Sequence, residues 1–252
     1  MTQNQPDISA VIVAHREGLM AGLSLRSFLD CIADAEKAGI SVEKLIVLDR
    51  ADEATRRVFE DKTVHGAVVM ETDFGDQGLA RNEAVRHAQG RTVAFLDADD
   101  LWSLNWLEDA WSLFSRNGPM TIVHPEFNLF FHGNRNVLIK IDQSDPLFDI
   151  EFLRFGNYWD SLCLAPREAY VDFPFCKRDI ENGFAYEDWH WNCETVVAGF
   201  VHRVALGTIH FKRRRQWSQT IEASTRRSLI RKTPILSYDW YRDVSARAAK
   251  TV

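Results

Sequence analysis

The stretch Val93-Ala94-Phe95-Leu96-Asp97-Ala98-Asp99-Asp100-Leu101-Trp102 decides the fold: four apolar residues run directly into three carboxylates within four positions. A short apolar run bounded by polar residues reads as a buried strand of a parallel sheet. The acids then sit at its carboxyl end, where open α/β sheets bind ligands. Carboxylates this close repel one another unless a cation neutralises them. A hard divalent ion is the economical choice, because oxygen-only ligands suit Mg2+ or Mn2+, which keep waters and share their remaining positions with substrate phosphates. The competing reading is that Asp99 and Asp100 open a solvated loop and cap the helix that follows.

Working outward, the N-terminal side alternates strand and helix. Ile8 to Ala14 is a β-branched run ending at His15-Arg16-Glu17-Gly18. Leu25, Phe28, Leu29 and Ile32 recur at helical spacing, with Gly39 as C-cap. Lys44 to Leu48 is a second strand stopping at Asp49, Asp52 to Thr55 opens a short helix, and Gly66 to Met70 is a third strand. Such alternation predicts a mostly parallel, Rossmann-like α/β sheet with right-handed crossovers. Gly75 and Gly78 then lead into a helix with Ala80, Ala84 and Ala88 on one stripe. Its N-terminus offers the positive end of a dipole to an anionic ligand near Gly78 and Arg81; alternatively Arg81 and Asn82 are plain surface residues.

Downstream, Leu107, Ala110, Trp111 and Phe114 mark a helix and Met120 to His124 a strand, while Phe127 to Phe131 and Val137 to Ile141 flank a glycine-containing loop as an antiparallel hairpin. Here the alternation breaks down, and this mixed half is expected to shape a second ligand's pocket. Trp189, Cys193, Val196 and Val197 form a helical stripe ending at Gly199, which puts Glu187 and Asp188 in the first turn, where the dipole favours ionised carboxylates. They are either stabilising helix-start acids or, beside a metal site, a general base for a hydroxyl nucleophile. The run His210-Phe211-Lys212-Arg213-Arg214-Arg215-Gln216-Trp217 is either a solvated face or a grip on a diphosphate, with Arg213 and Arg215 the candidates.

Composition excludes several classes. With 46% hydrophobic and 26% charged residues the chain is ordinary for a globular protein, and a net charge of −6 argues against a nucleic-acid binder. The four cysteines are far apart with no CxxC pair, which argues against a zinc ribbon or a disulfide framework and fits a reducing cytosol. The N-terminus lacks a Sec-type signal and no stretch approaches a membrane span, so a cytoplasmic location is expected. The 252 residues are expected to form a nucleotide-binding half over 1–118, an acceptor-side half over 119–217 and a helical extension over 218–252.

The ordered set of Ile8 to Ala14, the strand ending at Asp49, Gly78-Leu79-Ala80-Arg81-Asn82, Phe95 to Asp100 and Tyr186-Glu187-Asp188-Trp189 resembles family 2 glycosyltransferases of the GT-A fold over roughly residues 8 to 218. The resemblance implies a nucleotide-sugar donor lying across the strand ends, with contacts at Ala14, His15, Glu17, Asp49, Gly78, Arg81, Asp97 and Ala98. It also implies a divalent metal on Asp99 in an Asp-x-Asp motif, inversion at the anomeric carbon, Asp188 as base with Glu187 beside it, and a saccharide or lipid-linked acceptor. A lipid-linked acceptor would bring peripheral membrane contact at the inner face. The sequence departs from the family at Ala14-His15-Arg16-Glu17, where a Pro-x-Tyr-Asn-like turn is usual, and at Asp49-Arg50-Ala51-Asp52, where Asp-Asp-Gly-Ser is common. In the family both places normally recognise the nucleoside base, so the resemblance leaves the donor's base open, and Arg50 in place of a carboxylate points to a different base or an altered loop. A sugar nucleotidyltransferase fits less well because the turn after the first strand is a poor glycine-rich phosphate loop. An aspartyl phosphotransferase fits less well because the Asp97-Ala98-Asp99-Asp100 run lies on a late strand and has no small hydroxyl residue after it, and intact Asp99 and Asp188 count against a catalytically silent binding protein.

Overall fold

The β-branched run Ile8–Ala14 forms β1, buried along its whole length. Beside it lie β2 (Val42–Asp49), β3 (Val68–Thr72) and β4 (Thr92–Asp97), all parallel, in the order β3-β2-β1-β4. The computed structural model describes residues 5–60, 64–133, 135–215 and 219–242. Helices α1 (Ala21–Lys37), α2 (Glu53–Phe59) and α3 (Gln77–His87) make the connections. Successive strand side chains point to opposite faces, and β1 shows both faces covered. Ile8, Ala10, Ile12 and Ala14 pack with Leu25, Phe28 and Ile32 of α1, whereas Val11 and Val13 pack with Ala80, Ala84 and Val85 of α3. Truncating fully buried Phe28 to alanine would cost about 3–5 kcal/mol through lost burial and the cavity left behind.

After β4 come a two-residue strand β5 (Leu101–Trp102), α4 (Trp106–Asn117), a long β6 (Thr121–His132), β7 (Val137–Ile139), β8 (Leu164–Pro166), α5 (Arg167–Asp172), α6 (Glu187–Val197), β9 (Val201–Arg214) and α7 (Gln219–Thr225). The sheet continues from β4 through antiparallel β8 to β6, then to β9, which is parallel to β6, and ends at β5; β7 pairs with β6.

Three differences from the sequence reading have local causes. The two strands expected on either side of Pro125 are one strand, β6, with a register shift between Pro125 and Phe127; proline has no N–H for the ladder, and a bulge absorbs it. The hairpin to Val137 forms, but its second strand stops at Ile139 and its loop residue Asn134 lies outside the described residues. Asp99 and Asp100 do not cap the next helix: α4 starts after Asn105, and the acids sit in a tight turn closed by the Asp100 amide donating to the Asp97 carbonyl at 2.9 Å.

The expected start of the extension at Ser218 lies outside the described residues. Beyond it, Ile230 and Ile235 join Leu153, Trp159, Cys193 and Val196 in a third apolar cluster, so this segment is packed onto the body. Among the described residues no helix is long and apolar enough to cross a membrane. All four cysteines are free thiols.

Candidate active site

The carboxyl ends of β1, β2 and β4 open into a cleft of about 700 Å³. Ala14, His15 and Glu17 form one wall with Asp49, the loop through Gly75 and Gln77 forms another, and Asp97, Asp99 and Asp100 form the floor. Lys212 to Arg215 at the end of β9 close the far side, and α7 covers it with Ile221, Glu222 and Thr225.

Asp49 is 4% exposed, and its Oδ1 accepts from Thr72 Oγ1 at 2.9 Å and from the Phe74 amide at 2.7 Å. Its Oδ2 has no protein partner among the described residues. The first turn folds against it: His15 Nδ1 meets the Asp49 carbonyl at 2.5 Å, and Glu17 Oε2 accepts from the His15 amide at 2.6 Å. Burial pushes the Glu17 carboxyl up, partly countered by the His15 amide.

Each floor acid meets a basic side chain. Arg81 of α3, 1% exposed, donates from Nη2 to Asp97 Oδ1 at 2.7 Å and lies 3.8 Å from Glu187 Oε1. Its guanidinium stands 5.9 Å and 5.8 Å from the Phe95 and Phe175 ring centres. Burial alone would depress it, but the Asp97 and Glu187 carboxylates outweigh that and hold it above the usual arginine range. Arg215 Nη2 lies 2.6 Å from Asp99 Oδ2 and 3.6 Å from Glu17 Oε1. Asp100, 3% exposed, accepts from the Arg213 amide at 2.7 Å and faces Lys212 Nζ at 3.2 Å. Burial pushes the Asp100 carboxyl up to about 7 against the pull of Lys212, and burial also raises Asp99 against Arg215.

Arg81, Arg215 and Lys212 thus set three positive charges beside the floor acids. Among the described residues no three His, Cys, Asp or Glu side chains form a metal cage. Nor are Arg81 and the basic run plain surface: Arg81 is buried, Lys212 and Arg215 are bound to floor acids, and Arg214 stacks 4.2 Å over the Phe130 ring. Gln216 and Trp217 lie outside the described residues.

Other expected site residues fall behind the cleft. Gly78 does not line it; a Cβ there would meet Phe175 Cβ at 3.1 Å and Glu187 Cγ at 3.3 Å, so the glycine serves close packing of α3. The N-terminus of α3 already holds a carboxylate, since Asp76 Oδ1 accepts from the Leu79 amide at 3.0 Å. Ala98 is 1% exposed and belongs to the core, its amide donating to the Val13 carbonyl at 2.9 Å. Glu187 and Asp188 do not line the cleft either; Glu187 connects to its floor through Arg81, and Asp188 is the next residue along.

Asp188 lies two residues after Tyr186, whose φ of 58° is left-handed, and its Oδ1 accepts from the Trp189 amide at 2.8 Å. The helix dipole was expected to keep it ionised near neutral pH. Burial, with the neighbouring Glu187 and Asp160 charges, instead pushes it up to about 7. Glu187 is also raised by burial, against the pull of Arg81 and Arg178.

Sequence reasoning missed the group between floor and base. Asp160 accepts from Lys140 Nζ at 2.9 Å and from Asn128 Nδ2 at 2.8 Å, and lies 3.4 Å from Lys212 Nζ. Lys140 is buried, and its one signal in the sequence is a lysine interrupting Val137 to Ile141. Asp160 carries no local signal.

Residues 9–157 match the profile described as Glycosyl transferase family 2. A segment of 71 residues, 26% of the chain, is 41% identical to TuaG of Bacillus subtilis (strain 168), named a teichuronic acid biosynthesis glycosyltransferase; it covers 27% of that protein. Among solved structures, S. aureus TarS 1–349 in complex with UDP-GlcNAc aligns with a TM-score of 0.63 at 15% identity, over 87% of this chain and 61% of TarS 1–349. The UDP complex of the same protein gives 0.61 over 82% and 60%. The chain thus spans about a quarter of TuaG and three fifths of TarS 1–349, and at 15% identity the likeness to TarS is one of fold.

Proposed function

The chain belongs to glycosyl transferase family 2, and from that premise we propose that it moves a sugar from a uridine diphosphate sugar to an acceptor hydroxyl with inversion at the anomeric carbon. The observation that carries this reading is the cleft itself: an acceptor-only carboxylate, Asp49, at one end and a floor of acids and bases at the other, all on strand ends. The free Asp49 oxygen suits an imide N–H of a nucleobase. Arg213 and Arg215 stand where a diphosphate would lie, and fixed positive charge stabilises the charge that develops on the leaving oxygen.

A divalent ion fits this donor set if most of its ligands come from phosphate and water. Asp99 would hold it through Oδ1, which has no protein partner among the described residues. When bound, the ion would neutralise diphosphate charge.

In the transfer step the acceptor oxygen bonds to the anomeric carbon as the bond from that carbon to the diphosphate oxygen breaks. The bonding pair leaves with the diphosphate, and the acceptor proton passes to Asp188. A carboxyl poised near 7 is well matched to that task. Arg81 holds Glu187 in place beside it. The acceptor is a saccharide, free or lipid-linked, and a lipid-linked one would require peripheral membrane contact.

A thermal-shift screen of UDP, CDP, GDP and ADP, with and without Mn2+, tests the donor reading. A ligand that binds only the folded state raises its stability by mass action. UDP with Mn2+ is expected to give the largest shift; no shift with any nucleotide would defeat the proposal.

A further inference from the structure

Arg50, directly after Asp49, has a backbone φ of 50°, the left-handed region that non-glycine residues avoid. Such strain persists only where surrounding contacts over-determine it, and here they do. The Arg50 amide donates to the Thr72 carbonyl at 2.9 Å, its Nε to Asp73 Oδ1 at 2.6 Å, and its Nη2 to the Asp73 carbonyl at 3.1 Å. The guanidinium then lies against Gly75, where a Cβ would come within 2.2 Å of Nη1 and 2.8 Å of Cζ. Gly75 itself has a φ of 61°, the left-handed conformation that glycine adopts without strain.

The segment gripped from behind by Arg50 is also bound from the front by Asp49, whose Oδ1 takes the Thr72 hydroxyl and the Phe74 amide. Asp49 and Gly75 both line the cleft, whereas Arg50 does not. Arg50 therefore controls two properties of the base end at once. It keeps one Asp49 oxygen occupied by the loop, leaving the other for a ligand N–H, and it fixes how far the loop at Gly75 can retreat.

We propose that Arg50 is the positioning residue that sets nucleobase selectivity, holding the 72–75 segment at a depth that admits uracil and disfavours a purine. This rests on the donor reading above. Uracil and guanine both offer an imide N–H to a carboxylate, so the hydrogen bond cannot separate them; the loop position can.

The test is calorimetric titration of UDP and GDP into the parent chain, Arg50→Gly and Asp73→Asn, with melting temperatures for each. Glycine removes the guanidinium and relieves the left-handed strain, so the fold is expected to melt within a few degrees of the parent. UDP affinity is expected to fall about tenfold in Arg50→Gly, the equivalent of one well-placed hydrogen bond. GDP affinity should hold or rise, so the UDP-over-GDP ratio collapses. Asp73→Asn, which leaves Arg50 without its ion pair, is expected to shift the ratio in the same direction by less. A parent that prefers UDP, with an unchanged ratio in both variants, overturns the role of Arg50 alone. A parent that binds neither nucleotide overturns the donor reading, and this inference with it.

Discussion

Replacing Arg81 by methionine removes a buried cation that two carboxylates share. The guanidinium is 1% exposed, donates to Asp97 at 2.7 Å, lies 3.8 Å from Glu187, and is flanked by the Phe95 and Phe175 rings. Methionine fills much of the apolar volume but takes from Asp97 the guanidinium it binds and leaves the buried Glu187 with only the weaker pull of Arg178. Removing one partner of a buried ion pair costs about 3–5 kcal/mol, because the remaining charge stays desolvated. For a chain of this size each kcal/mol moves the melting point by about 2–4 °C, so Arg81→Met should melt ~6–20 °C lower at pH 8. Glu187, already raised by burial, can neutralise itself by binding a proton, so the deficit should shrink as pH falls from 8 to 5. Urea denaturation followed by tryptophan fluorescence at both pH values measures this. A loss below about 1 kcal/mol, the worth of an exposed pair, or a deficit independent of pH would refute the buried-triad reasoning.

Nucleotide binding should weaken sharply with chelator and in Asp99→Asn, as calorimetry would show; equal affinity in both cases would remove Asp99 from any metal role. Alanine at Arg213 or Arg215 should weaken donor binding more than acceptor binding, measured by separate saturation curves. Transfer should rise with pH through about 7 as Asp188 loses its proton, so a pH–rate profile flat from 5 to 9 would contradict it. The sign for stability is opposite. Asp100 and Asp188, both pushed up to about 7, keep their protons in the fold where the unfolded chain has released them. Their contribution is therefore full below about pH 4 and is lost as pH rises through 7.

The first four strands were legible because each is a β-branched or apolar run ending in a polar residue, and the acids after Leu96 marked the ligand end of the sheet. Helix α6 was legible from its stripe. Strands β5 and β8, of two and three residues, carry no periodicity to read and form because β9 and β4 offer them edges. The burial of Arg81 was hidden because α3 has polar residues around much of its circumference, and only the third dimension brings Asp97 and Glu187 to it. The same holds for Asp160, whose partners Lys140 and Lys212 lie 20 and 52 positions away in the chain. Asp188 shows the limit of a local argument: its place in a first turn predicts an ionised group, and burial beside Glu187 reverses the direction.

Whether Asp188 accepts the proton is measured by turnover of Asp188→Asn with a confirmed donor and acceptor, alongside donor binding and melting temperature for the same protein. Asparagine keeps the size and the hydrogen bond from the Trp189 amide but cannot accept the acceptor's proton. Transfer should fall by about two to four powers of ten, the usual worth of general-base catalysis, while donor affinity and folding are retained. Turnover equal to the parent, or loss of donor binding and folding together, would contradict the assignment.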